Sequence, residues 1–573
     1  MFISPAFFVS STAASTSQKT FPANSSDSSL TIFLSIATPQ PKGLAGVRKL
    51  AEGPISALDP PQLPGECSSM SWEKELEDLK RRQALAEKMG GEEKLARQKE
   101  RGKLNARERL DALLDEGSFR EIGKIAGKRK YAVDGALEDF SPSNFIFGRG
   151  RIDGRTVVAS ADDFTVRGGA ADAAIHRKFA LAEQMAHEMK LPLIRMIDGT
   201  GGGGSVKMLE QMGFTYVPFV PGWEHVVRNL DTVPVVALAL GSCAGLGAAR
   251  LVASHYSVMV RGVAQVFTAG PKVAEGIGEA AMSNEALGGA DIHARNGVID
   301  DEAETEEEAF AKARAFLSYL PSSVHSRATR AINHDPVARR DEELLSIVPR
   351  DRRQAYSMRK IIRSVADKGG VFEMGARWGR SVITAFARFD GVSVAVLASD
   401  PTFLGGSWTA DASDKARRFV RLADQFRLPV IHLVDNPGFM IGLDAEKAGT
   451  IRRGVEAMNA IYKASVPWCS VIIRKAYGVA GAAMSDHTRF QYRFAWPSGD
   501  WGSLPMEGGV EVAYKAELSK ADDPAAELSR IKARLNAVTS PFRTAEQFLI
   551  EDIIDPRDTR ALLCEFAEMA SSA

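Results

Sequence analysis

Two glycine-containing loops hold the residues best suited to chemistry. One is GSCAGLGAAR, after the apolar run VPVVALAL, and the other is KAYGVAGAAM, after VPWCSVIIR. Gly245, Leu246 and Gly247 of the first fall opposite Gly478, Val479 and Ala480 of the second. Each triplet follows a buried strand and opens a helix, so it offers backbone N–H groups with no intrahelical acceptor. A helix start of this kind suits an oxyanion, and glycine or alanine allows close approach to the backbone. An enolate formed beside a thioester needs such a fixed pair of donors, because charge builds on oxygen in the transition state. Either loop alone reads equally as a tight turn that only packs; two at matched positions favour chemistry.

The matched loops belong to a longer self-similarity. Residues 151–198 align without a gap to residues 388–435, with Asp153/Asp390, Thr165/Thr402, Gly168/Gly405, Gly169/Gly406, Lys178/Lys415 and Asp198/Asp435 among the identities. A match of that length predicts two copies of one structural unit. Two copies supply two similar sites able to face one cleft, which suits a reaction with two reactive partners. Asp198 and Asp435 end equivalent strands, as catalytic carboxylates or, the favoured reading, as caps of the following turn. The run DGTGGGGS lacks the spacing of a P-loop or a dinucleotide fingerprint and reads as a substrate-side loop or a plain turn. Ser205 and His487 form no nucleophile–base pattern, and G-x-S-x-G is absent.

Composition excludes several classes. Lys plus Arg and Asp plus Glu are equal at 72 each, so bulk charge favours neither nucleic acid nor an anionic membrane. Cys67, Cys243, Cys469 and Cys564 are widely spaced, which predicts buried free thiols rather than a disulfide framework or a zinc ribbon. The histidines make no H-x-x-x-H, and no metal is expected to bind this chain. No apolar run reaches the roughly 18 residues of a membrane span. Residues 1–69 are Ser- and Pro-rich and nearly free of periodicity; disorder is expected there, with Met70 as the favoured true start and a targeting segment as the alternative.

The elements that must position the loops follow from periodicity. A charged helical stretch runs from Ser71 to about Leu114 and carries the basic run Lys94, Arg97, Lys99, Arg101, Lys103 and Arg107. A strand-like stretch with an internal DG turn leads to helices over about 171–189 and 208–229, and the acidic run DDEAETEEEAF opens a helix ending near Leu320. The second copy is expected as strand 381–397, helix 411–426, strand LPVIHLVD, helix 446–463 and strand VPWCSVIIR. Strands alternating with helices predict a parallel α/β sheet in each copy. The boundaries expected are 70–321 for the first domain, 322–352 for a connector and 353–573 for the second.

Several longer stretches carry a resemblance. RGKLNARERLDALLDEGSF, DFTVRGG, ARFVRLADQFRLPVIHLVDNPGFMIG, RKAYGVAGAAM, AWPSGDWGSLPMEGGVEVAY and SPFRTAEQFLIEDIIDPRDTR resemble the carboxyltransferase (β) subunit of biotin-dependent acyl-CoA carboxylases, over about residues 72–565. The resemblance implies an α/β chain of two tandem crotonase-like domains, assembled as a hexamer in which the N domain of one subunit faces the C domain of another. It implies transfer of CO2 from carboxybiotin to the enolate of an acyl-CoA. Gly245 and Leu246 would hold the thioester oxygen, and Gly478, Val479 and Ala480 the biotin ureido oxygen. Gly168, Gly169, Gly201, Gly202, Ala244, Gly481, Ala482, Lys103 and Arg107 are expected on the acyl-CoA side; Gly405, Gly406, Pro437, Gly438 and Phe439 are expected on the biotin side. Where family members carry Gly-Gly, this chain has Gly245-Leu246 and Gly478-Val479; where propionyl types carry Tyr-Asp it has Gly481-Ala482, which predicts an acyl pocket of different shape. No AMKM-like biotinylation site and no ATP-grasp signature occurs, so a partner subunit is expected to carry the biotin and its carboxylase, in the cytoplasm or, in a eukaryote, the mitochondrial matrix. The competing readings are a biotin-dependent decarboxylase or transcarboxylase subunit, a biotin-independent crotonase-like enzyme, and a non-catalytic assembly partner.

Overall fold

The two DG turns are conformational copies. Asp153 and Gly154 have φ of +49° and +78°, and Asp390 and Gly391 have +51° and +78°. Positive φ at both central residues is the geometry of a tight hairpin turn whose twist matches its strands. Phe145–Ile152 therefore pairs antiparallel with Arg155–Asp162, and Val382–Phe389 with Val392–Ser399. The stretch expected as one strand over 381–397 is this hairpin. The computed structural model describes residues 71–572 other than 171–172, 200–209, 211–212, 216 and 218. Met70, Cys67 and the expectations for residues 1–69 lie outside the described residues.

Beyond each hairpin the sheet becomes parallel. Leu193–Ile197, Val235–Ala239, Tyr256–Val260 and Asp301–Ala303 follow Arg155–Asp162 in the first sheet. Val430–Asn436, Trp468–Tyr477 and Tyr492–Ala495 follow Val392–Ser399 in the second. The sheets are thus mixed, not wholly parallel as expected, because a two-residue turn can only join antiparallel strands. Short outer strands, Arg120–Glu121 and Val371–Met374, extend the antiparallel edges.

Glycine sets several helix limits differently from the periodic reading. The stretch from Ser71 forms three helices, Glu73–Glu87, Glu92–Glu100 and Ala106–Leu113, interrupted at Gly91 and Gly102, both at positive φ. Of the helix expected from Ala171, residues 171–172 lie outside the described residues, and the described helix begins at His176. Of the helix expected over 208–229, residues 208–209, 211–212, 216 and 218 lie outside the described residues; a helix is seen at Trp223–Thr232, after Pro221 and a left-handed Gly222. Likewise 446–463 is broken at left-handed Gly449 into Leu443–Lys447 and Thr450–Lys463. The acidic run supplies the strand Asp301–Ala303 before the helix Glu306–Tyr319, which Thr305 caps through the Glu308 amide at 3.1 Å.

The largest apolar cluster draws on both halves. Tyr256 stacks on Phe316 at 4.7 Å, and Phe316 meets Phe386 at 5.8 Å and Phe372 at 6.4 Å, so an aromatic seam joins the two sheets. Cys243, Cys469 and Cys564 are buried free thiols. Burial pushes the thiols up, Cys564 to about 11, leaving them poor nucleophiles.

Candidate active site

Each of the two loops is an elbow from a buried strand into a helix. In the first, Ser242–Ala244 pairs in parallel with Gln265–Phe267, then Gly245 turns at φ +54° into the helix Leu246–Val252. In the second, Trp468–Tyr477 runs directly into the helix Gly478–Ala482, with Gly478 at φ +60°. Close packing requires the next small residues. A Cβ on Gly247 would lie 2.7 Å from the Gly199 carbonyl oxygen, and one on Gly481 would lie 2.5 Å from the Ala476 carbonyl carbon. The Gly245 amide donates weakly to the Phe267 carbonyl at 3.4 Å. The amides of Leu246 and Gly247, and of Gly478, Val479 and Ala480, make no hydrogen bond among the described residues. Gly245, Gly478 and Val479 are exposed. Both elbows therefore present accessible N–H donors at the same point of the repeat.

Behind each elbow sits a buried aspartate held by cations rather than capping its turn. Asp198 takes Lys103 Nζ at 2.5 Å and Arg109 at 2.9 Å, and Arg109 also forks onto Glu306 at 2.8 Å. Asp435 takes the Tyr356 hydroxyl at 2.8 Å, Arg474 at 3.1 Å and the Lys475 amide at 3.1 Å. Burial with the Asp435 charge raises the Tyr356 phenol well above its ordinary value, so it stays a hydrogen-bond donor. The Asp198 carboxylate lies against Gly241, where a Cβ would come within 1.9 Å of Oδ1. These carboxylates anchor the strand ends: Asp435 uses both oxygens, whereas Asp198 uses Oδ2 and leaves its buried Oδ1 without a hydrogen bond among the described residues.

The repeat reaches further upstream than the sequence match. Arg107 pairs with Glu121 at 2.9 Å, and Arg359 pairs with Glu373 at 2.7 Å. Asn105 caps Ala106–Leu113 as Ser357 caps Met358–Val365. Asp115 accepts from the Asp153 and Gly154 amides at 3.0 and 2.8 Å, and Asp367 from those of Asp390 and Gly391 at the same distances. Buried Lys178 and Lys415 are both pushed down to about 8 by burial.

Each half carries a cationic cavity; the second adjoins its elbow through Lys475 and Tyr477, and the first shares Lys103 with Asp198 behind its elbow. The first, about 290 Å³, is lined by Lys94, Arg97, Arg101, Lys103 and Arg167 with Phe164 and Gly168. The Gly90 amide, donating to Thr165 Oγ1 at 2.9 Å, docks the basic helices onto this loop. The second, about 260 Å³, is lined by Arg352, Arg353, Arg474 and Lys475 with Pro401, Gly405, Pro437 and Tyr477. Gly168 and Gly405 occupy the same place in the two cavities. Gly169 and Gly406 lie behind them, where a Cβ on either would come within 2.6 Å of the Asp198 or Asp435 carbonyl oxygen.

The remaining anticipated residues divide. Lys103 reaches the first cavity, with its ammonium over the Phe164 ring at 5.0 Å, whereas Arg107 is engaged with Glu121 outside that lining. Ala244 ends the short strand of the first elbow, and Gly481 and Ala482 lie in the second elbow's helix, where the Ala482 carbonyl meets His487 at 2.9 Å. Pro437 lines the second cavity. The Gly438 amide donates to Asn436 at 2.9 Å, and the Phe439 ring packs against Gly454 and Trp408. Gly201 and Gly202 lie outside the described residues. Sequence reasoning passed over Phe164, Arg352, Arg353 and Lys475; the signal for the last was its position in RKAYGVAGAAM, immediately before the elbow. Among the described residues no group of His, Cys, Asp and Glu forms a metal site, and no helix is long and apolar enough to cross a membrane.

A carboxyl transferase domain matches residues 97–573, and the chain belongs to that family. Two sheet-bearing halves with paired elbows are its architecture here, and the chain is a carboxyltransferase of the acyl-CoA carboxylase and transcarboxylase type. It is 32% identical to the propionyl-CoA carboxylase carboxyltransferase subunit of Haloferax mediterranei, over 88% of this chain and 97% of that one. It is 30% identical to the methylmalonyl-CoA decarboxylase subunit alpha of Veillonella parvula, over 87% and 96%. Among solved structures it superposes on a transcarboxylase 12S hexamer with methylmalonyl-coenzyme A and methylmalonic acid bound, at TM-score 0.77 and 30% identity, covering 88% and 96%.

Proposed function

We propose that this chain transfers a carboxyl group between biotin carried on a partner subunit and the enolate of an acyl-CoA, with one elbow serving each reactant. The observation that carries the reading is the pair of repeat-related elbows, each with open amides and each in a half that carries its own cavity. The first cavity has five cationic side chains and one aromatic ring, a lining suited to the phosphates and adenine of CoA. The amides of Gly245, Leu246 and Gly247 then donate to the thioester oxygen as negative charge develops on it; the long Gly245–Phe267 bond yields readily to a better acceptor. The amides of Gly478, Val479 and Ala480 hold the ureido oxygen. Biotin, when bound, supplies the carboxyl group and takes up the α-proton, so no side-chain base is asked of this chain. Gly481 and Ala482 leave the second elbow without bulk, which supports an acyl group other than propionyl as substrate.

Assembly follows from two exposed apolar faces at repeat-related helices. Phe214, Phe219 and Val227 flank Trp223–Thr232, and Ile441, Leu443 and Ile451 flank Thr450–Lys463, each at least half exposed. A head-to-tail contact of one face with the other on a second copy brings a first elbow to a second one and propagates into a closed oligomer. The hexamer assembly of the transcarboxylase 12S structure supports that arrangement. A cytoplasmic or mitochondrial-matrix location fits acyl-CoA chemistry fed by ATP. The reverse direction, decarboxylation, has separate support in the similarity to the Veillonella parvula subunit.

The test is a labelled-bicarbonate assay with ATP, biotinylated partner subunits and a panel of acyl-CoAs. Biotin-dependent label in one acyl-CoA establishes the reaction and names the substrate; decarboxylation of a malonyl-type CoA alone assigns the reverse direction; silence in both overturns the proposal. Gly245→Val, which forces a β-branched residue to positive φ beside the donors, should cut turnover on the order of 100-fold or more with the oligomer intact. Unchanged turnover removes the first elbow from the mechanism.

A further inference from the structure

The second cavity repeats the first in place and in sign of charge, although its expected occupant, the ureido ring of biotin, is neutral. Four cations line it against one carboxylate, Asp500. Arg352 is matched by Asp500 at 3.0 Å, and Arg474 by Asp435 at 3.1 Å. Arg353 stands on the rim, 3.6 Å from Asp351 and largely exposed. Lys475 is different: its amide is bonded to Asp435, but its ammonium makes no ion pair or hydrogen bond among the described residues. It is half-buried and separated from Tyr477 and the elbow amides only by Ala476. A half-buried cation without a counter-ion attracts an anion into the cavity it lines.

Resting on the reading above, we infer that Lys475 makes the second cavity a carboxylate subsite that distinguishes carboxylated biotin, an anion, from the neutral biotin left after transfer. The ureido oxygen of both forms meets the same elbow amides, so those amides cannot tell loaded from spent carrier. The ammonium can. A charge-assisted contact with the carboxylate holds the loaded form, and its loss on transfer releases the spent one. Lys475 is thus a positioning and specificity residue, and the reacting bonds are made elsewhere in the site.

Binding to the assembled oligomer tests this without turnover. The probes are biotin methyl ester bearing a carboxymethyl group on its ureido nitrogen, a stable anion, and the corresponding neutral amide; CoA binding reports that the first cavity and the assembly are intact. The wild type should bind the anion about tenfold more tightly than the amide. Lys475→Met should erase that preference and leave amide and CoA binding unchanged, while Lys475→Arg retains it. Arg353→Gln, on the rim, should change the preference less than twofold. A wild type that does not discriminate, or a Lys475→Met variant that still does, overturns the inference while leaving the carboxyltransferase reading in place. Displacement of the anionic probe by excess CoA would make the cavity a phosphate site and overturn it too. If neither biotin probe binds while CoA does, the second-elbow assignment falls together with the inference.

Discussion

Arg109 makes four hydrogen bonds inside the protein: two to Glu306, one to Asp198 and one to the Leu240 carbonyl. Removing one member of such a buried set strands the others, at a cost of about 3–5 kcal/mol. Arg109→Met should lower stability by that amount in chemical denaturation, with part of the loss recovered when Glu306→Gln is added. The neighbouring glycines have graded sensitivities. Gly169→Ala and Gly406→Ala place a Cβ 2.6 Å from a backbone carbonyl at positive φ and should each cost about 1–3 kcal/mol. Gly405→Ala meets open space and should cost about 1 kcal/mol, from φ alone. Equal losses at all three would refute the packing argument. These contacts also explain what was legible. Gly169/Gly406 appear as identities because a Cβ there would meet backbone, and Asp198/Asp435 because each carboxylate holds a buried arginine. Arg109 was not legible: in RERL it reads as one more charge on a solvated helix, and its partners lie far along the chain.

At the level of elements, the helix Ala106–Leu113 and the hairpin Phe145–Asp162 form one device, locked by Asp115 on the DG turn; Met358–Val365, Val382–Ser399 and Asp367 form its copy. The copies differ in exposure. Asp115 is partly exposed, whereas Asp367 is buried and also accepts from Arg560 at 2.9 Å. Asp367→Asn should therefore destabilise more than Asp115→Asn, by about 1–2 kcal/mol more, measured as denaturation midpoints; the reverse order would show that the turn, not the buried network, sets the cost. The upstream half of the repeat escaped the sequence comparison because it is preserved as roles. Arg107–Glu121 and Arg359–Glu373 keep the ion pair while the residues between them diverge. The elbows were visible because strand, glycine and helix occur in fixed succession, whereas the mixed sheet was hidden by reading 381–397 as a single apolar run.

For the whole molecule, acidity at the junction of the halves is measurable. The Asp301 carboxyl accepts from Tyr256 at 2.8 Å and from the Gly375 amide at 3.2 Å, with Asp300 and Lys312 nearby. Burial pushes it up to about 7 from an ordinary 3.8. The folded chain then keeps a proton that the unfolded chain has lost, so its contribution is intact below pH 3.8 and is lost as pH rises towards about 7. Asp301→Asn should flatten the fall in thermal midpoint across that window; an unchanged slope would place the titration elsewhere. Leu443→Asp with Ile451→Asp should lower the oligomer's mass in light scattering, and retention of full mass would remove that face from the interface. The aromatic seam of Tyr256, Phe316, Phe372 and Phe386 has a historical consequence as well. Fusion has since made the two ancestral copies interdependent, because each now uses its sibling's rings to finish its own interior. Severing the chain within 322–352 should therefore yield two pieces that are insoluble apart but reconstitute when expressed together, and the duplication has become a partnership that can no longer be dissolved.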